Sequence, residues 1–107
     1  MAAIRARVVL VTVPRGGKAE SLAEGAVEAR LAACVNIVPG VVSVYRWKGR
    51  VHRDAESLLV IKTTETKLKA LERWFKERHP YETPEFLVLK VDAGSKEYLA
   101  WLTQEAR

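Results

Sequence analysis

The chain has 107 residues, 49% of them hydrophobic, and is expected to form one domain, residues 1–107, around a single core with no room for a second. Its 18 Lys+Arg against 13 Asp+Glu leave a net charge of +5, but no run of like charge exceeds two residues, so an anionic partner is permitted without being named. No stretch approaches the roughly 20 apolar residues of a membrane span, and the lone Cys34 has no partner for an internal disulfide, so a reducing, cytoplasmic setting is expected.

In chain order, Val8 to Val13 ("VVLVTV") is a β-branched run closed by Pro14 and Gly16-Gly17, which reads as a strand buried on both faces. "KAESLAEGAVEARLAA" follows, with Leu22, Ala26, Ala29 and Ala33 at helical spacing, a small-residue face suited to lying close on a sheet. Gly25 within it costs about 1 kcal/mol relative to Ala, which points to a close backbone approach. Cys34 to Thr63 is β-rich, kinked at Pro39-Gly40 and turned at "WKGR", where Gly49 can take a positive φ. Thr64 is placed to cap "ETKLKALERWFKERH", with Leu68, Leu71 and Phe75 inward and Glu65/Lys69 and Glu72/Lys76 as spaced ion pairs; Pro80 stops it. "EFLVLKV" reads as a last strand, and Ser95 as the cap of a short C-terminal helix carrying Leu99 and Leu102.

The order β-α-β-β-α-β plus a terminal helix is the split βαβ arrangement of the α+β ferredoxin-like fold. From Val41 to Lys62 the hairpin strands have about eleven residues each, roughly 36 Å of extended chain against the five or six residues of an ordinary strand. Two helices cannot cover that length, so the hairpin is expected to project and to bury Tyr45 and Trp47 by pairing with copies of the same chain. Scarce Asn, Gln, Cys and Met beside abundant charge match a thermophilic source.

The segments "LAACVNIVPGVVSVYRWKG", "ESLLVIKTT", "RHPYETPEFLVL" and "YLAWL" together resemble the CutA divalent-cation tolerance family along nearly the whole chain. That resemblance implies a compact homotrimer with hairpins paired between subunits, akin to the trimeric nitrogen-regulatory signalling proteins. It also implies a role in tolerance of copper and other divalent ions without a catalytic reaction. The copper ligands proposed in such proteins, a Cys in the first strand and two His before Pro-Tyr, fall here on Val11, Arg78 and His79, so only His79 is retained. One imidazole is not a copper site; a mixed site of His79 with Glu82 or Glu85 would bind Cu(II) or another divalent ion weakly and without selectivity.

The stretch "KERHPYETPEFLV" carries the strongest candidate residues. His79 can be a helix-end imidazolium facing the dipole, and Pro80 and Pro84 a helix stop and a strand start, with no site implied. Neither role accounts for Tyr81 and Glu82 between the prolines. An inter-subunit cleft lined by Tyr81, Glu82 and Glu85, with Lys62 from the hairpin's return strand, is therefore expected, its content either structural or a small ligand. Cys34 reads as a small buried hydrophobe. No phosphate loop, nucleophile elbow, HExxH or CxxC occurs, which argues against an enzyme. RNA recognition shares this strand order, but its aromatic-flanked glycine strand is missing, which argues against nucleic acid as a partner.

Overall fold

The β-branched run of Ala6–Pro14 (β1) takes a central place in a four-stranded sheet in the computed structural model, which describes residues 4–107. The other elements are a helix Lys18–Glu28 (α1), the hairpin strands Cys34–Trp47 (β2) and Arg50–Thr64 (β3), a helix Leu68–Arg78 (α2), a strand Leu87–Lys90 (β4) and a helix Lys96–Glu105 (α3). The sheet order is β2-β3-β1-β4 with every neighbouring pair antiparallel, the expected α+β ferredoxin-like topology.

The main core lies on one face of this sheet. Val9, Val11 and Val13 of β1 and Leu59 and Ile61 of β3 meet Leu22 and Ala26 of α1 and Leu71 and Phe75 of α2. The expectation that β1 is buried on both faces holds only for these odd positions. Val8, Leu10 and Thr12 are half-buried because α1 and α2 both pack on the other side. Leu87 and Leu89 of β4, paired with Leu10 and Val8, carry the open face to the sheet edge at 57% and 49% exposure.

Gly25 does mark a close approach: a Cβ there would stand 2.9 Å from Cζ2 of Trp74, so the glycine lets α1 close on α2. The first helix ends earlier than its spacing suggests. Arg30 turns left-handed (φ 58°), Leu31 N–H donates to the Ala26 carbonyl at 3.0 Å, and Ala29 and Ala33 fall outside the helix. Ala33 instead joins Ala6, Leu102 and Ala106 in a second cluster beneath α3, whose start is capped by Ser95 Oγ accepting Tyr98 N–H at 3.2 Å. Thr64 enters a 3-10 turn, Glu65–Lys67, and bonds the Thr66 hydroxyl instead of capping α2. Glu65 bridges Arg5 and Arg7 at 3.0 Å each, not Lys69, whereas the Glu72–Lys76 pair forms at 3.4 Å.

The hairpin is longer than expected, at 14 and 15 residues, and it projects. The chain measures 48 × 25 × 23 Å, and its radius of gyration of 14.5 Å exceeds the roughly 13 Å of a round domain of this length. Lys48 and Gly49, both at positive φ (51° and 78°), close it as a two-residue turn of the type that matches strand twist. At Pro39-Gly40 the register slips: Val38 pairs with Leu58 but Val41 with Glu56, so β2 carries one extra residue, with Gly40 at φ 74°. Beyond this bulge the odd positions of β2 share a face with Glu56, which puts Ser43, Tyr45 and Trp47 on the same side.

The hairpin's second apolar face was not foreseen. Val42, Val44 and Val51 point away from Tyr45 and are 53%, 61% and 66% exposed, whereas Tyr45 and Trp47 are 42% and 38% exposed. Tyr45 already stacks on His52 with ring centroids 5.4 Å apart, so the valines, more than the aromatics, lack cover within the chain.

Candidate functional site

Where α2 stops, His79 leaves the helix in extended conformation (φ −78°, ψ 136°) and turns its ring inward, at 8% exposure. Its Nε2 lies 2.8 Å from the Thr12 carbonyl, which can only accept, so Nε2 carries a proton. Its Nδ1 accepts the backbone N–H of Tyr81 at 3.1 Å. These two bonds are the pattern of a neutral Nε2–H imidazole. The helix-end imidazolium is thereby corrected: the ring ties the chain after α2 to the end of β1. A metal ion at either nitrogen would have to displace one of these bonds.

The tie places Tyr81. Its ring sits 4.7 Å from the His79 ring, and its phenol donates to Glu56 Oε2 at 2.6 Å. Glu56, on β3, is only 5% exposed. Burial, with the bond to Glu56 second, pushes the Tyr81 phenol well above its ordinary value. Tyr45 donates to Asp54, and that bond raises its phenol too. The Glu85 carboxyl is raised first by burial and then by the negative charge of Glu56.

These groups border a cleft of about 630 Å³ between the 80–85 segment and the base of the hairpin. Three carboxylates, Glu56, Glu82 and Glu85, line it beside the rings of Tyr45, Trp47 and Tyr81. No Lys, Arg or His is among its lining residues, and no ion pair to these carboxylates forms among the described residues.

Tyr81, Glu82 and Glu85 are thus brought together as expected, while His79 stands behind the wall as its support. Lys62 is not part of the cleft within one chain. It lies on β3 six residues beyond Glu56, paired with Cys34 of β2, and donates to the Asn36 side chain. Glu56, Tyr45 and Trp47 were missed as lining residues. The signal was available in the register, since counting back from the Lys48-Gly49 turn sets Tyr45, Val41 and Glu56 on one face.

The residues at the family's proposed copper positions do not converge. Val11 is fully buried in the core, and the Arg78 guanidinium covers the Trp74 ring at 4.5 Å. Among the described residues no group of three or more His, Cys, Asp or Glu is placed to hold a metal ion. Cys34 is half-buried at the start of β2 beside Tyr98, whose phenol is raised by burial and by that thiol.

The model of the CutA1 divalent ion tolerance protein family matches residues 7–105. The chain belongs to the CutA family. The divalent-cation tolerance protein CutA of Thermus thermophilus is 50% identical over 97 residues, 91% of this chain and 94% of that one. The chloroplastic CutA 1 of Oryza sativa is 48% identical over 94% of this chain, which spans 56% of that longer protein. Among solved structures, the Cut A1 protein of Thermus thermophilus superposes with a TM-score of 0.91 at 48% identity, covering 94% of this chain and 97% of that one. CutA from Synechococcus elongatus complexed with a Bis-Tris molecule gives 0.88 at 42% identity, with 98% and 97% covered. The four-stranded antiparallel sheet with its helices is therefore a CutA fold. The CutA family is named for tolerance of divalent ions, not for a reaction.

Proposed function

We propose that this chain is a non-enzymatic, homotrimeric module of divalent-cation tolerance that responds to a cation held in the Tyr81 cleft. One observation carries the reading: in a protein of net charge +5, the cleft is walled by three carboxylates and no basic side chain. Such a wall attracts cations and repels phosphates, which also weighs against RNA as the ligand. The donors do not suit a resident copper centre, because the ring nitrogens of His79 are both engaged within the chain. Divalent ions, Cu(II) included, would meet mainly the oxygens of Glu82 and Glu85 and bind weakly, with little selectivity.

The trimer is supported by what one chain leaves uncovered. The open sheet face ending in Leu87 and Leu89 and the hairpin face of Val42, Val44 and Val51 are both apolar, and a second copy supplies the matching surface. We place the protein in the cytoplasm on its single free thiol. A signalling trimer for a small metabolite is the second reading, favoured by a cleft of ligand size and by the Bis-Tris complex of a relative.

Calorimetric titration with Cu(II) and Zn(II) in a non-coordinating buffer tests the first reading. Weak binding reduced by Glu82→Gln and unchanged by His79→Asn is expected. Tight binding abolished by His79→Asn would overturn the cleft assignment and restore an imidazole-centred site.

A further inference from the structure

We propose that the cleft is a site for a small organic cation, a protonated amine on an apolar or hydroxylated body, in preference to a bare metal ion. This rests on the reading of the cleft as the ligand site and names what it takes. The strongest support is Glu56. It is more than nine-tenths buried, it borders the cavity, and it accepts one hydrogen bond, from Tyr81 to Oε2. Among the described residues nothing donates to its other oxygen and no cation pairs with it. Among the described residues no buried side-chain oxygen is left without a partner, so this second oxygen is open to the cleft, where a positive charge can reach it.

Size and walls then separate the kinds of cation. A divalent ion with six waters fills about 180 Å³ at roughly 30 Å³ per water, well short of the cavity's 630 Å³. Cavities of this size hold organic ligands. Three aromatic rings share the lining, and the faces of Trp47, Tyr45 and Tyr81 offer a hard metal ion no ligand atom. They do attract an ammonium group through the ring quadrupole, as the Lys48 amine already shows by lying 5.8 Å from the centre of the Trp47 ring. The hydroxyls of Ser43 and Thr83 complete a wall that can bond a hydroxylated body. An anionic ligand would face three carboxylates without a basic side chain from this chain.

The test is calorimetry and tryptophan fluorescence on the assembled protein in sodium chloride solution held at pH 7 by pH-stat, free of amines and phosphate, with n-butylammonium, n-butanol and Zn(II) as separate probes. Butylammonium should bind and perturb emission from Trp47, and butanol should not. Glu85→Gln and Trp47→Ala should each weaken butylammonium by about tenfold, the equivalent of 1.4 kcal/mol, while Trp47→Phe restores part of the loss. Glu85 lies at the rim and serves as the test residue if Glu56→Gln does not fold. Zn(II) binding that Glu82→Gln weakens and Trp47→Ala leaves unchanged, with no response to butylammonium, would overturn this inference and leave the metal reading standing. Failure of every probe to bind would overturn both.

Discussion

Replacing Tyr81 by Phe removes one hydroxyl and nothing else from the junction of α2, β1 and β3. The ring can keep its place 4.7 Å from His79, and the Tyr81 backbone N–H can still donate to Nδ1. What disappears is the 2.6 Å bond to Glu56, an acceptor that is 5% exposed. Hydrogen bonds to charged groups are worth about 1.5–3 kcal/mol, and the carboxylate left behind has no other donor among the described residues, so a loss of about 2 kcal/mol is expected. Urea unfolding at a fixed protein concentration reads it, since the stability of an oligomer depends on concentration. The pH dependence supplies a second signature. Because the folded-state pKa of Tyr81 is raised, its contribution is whole below the unfolded value of about 10 and is lost as pH rises beyond it. The gap between the natural protein and the variant should therefore narrow above pH 10. A gap below about 0.5 kcal/mol at pH 7 would refute the reasoning, as that is the range of an ordinary surface substitution.

Gly25→Ala should destabilise despite alanine's better helix propensity, because its Cβ would crowd Trp74 at 2.9 Å; an overpacking cost of about 1–3 kcal/mol outweighs a gain of about 1, and a shift in Trp74 emission should accompany it. Deleting Gly40 should remove the bulge and leave a regular ladder, with Tyr45 and Trp47, paired with β3 from the Lys48-Gly49 turn, still on the face of Glu56, read as a retained Trp47 response to cations with the far-ultraviolet dichroism unchanged; loss of that response would refute the register argument. Glu85→Gln should stabilise the protein at pH 7: its folded-state pKa is raised, so its contribution is present below the unfolded value and lost as pH rises, and the advantage of glutamine should vanish toward pH 4 in paired unfolding curves. Thermal unfolding should lie above the ordinary range of about 45–65 °C if the scarcity of Asn, Gln, Cys and Met reflects a hot habitat.

The fold was readable because it is written in local signals. The β-branched run "VVLVTV", the glycine at Gly49, the proline stop at Pro80 and the cap at Ser95 each act within a few residues, and each has its counterpart in the structure. Long-range choices were less visible. Nothing local tells that α1 and α2 both pack on the odd-numbered face of β1, or that Glu65 reaches Arg5 and Arg7 across some sixty residues in preference to Lys69 four residues on. The site divided in the same way. Tyr81, Glu82 and Glu85 are neighbours in sequence and were found together, whereas Glu56 reaches them only through the register of β3 in the sheet. His79 drew attention as a ligand because imidazoles bind metals. Its role as a two-bond tie depends on a carbonyl sixty-seven residues away, which composition cannot reveal.

A crystal structure grown without amine buffers and soaked with n-butylammonium tests the central claim most directly. Three copies around a threefold axis are predicted, each with the ammonium between Glu56 and Glu85 and against the Trp47 ring. A monomer, or a cleft filled by a Lys or Arg of a neighbouring copy in place of the amine, would contradict it.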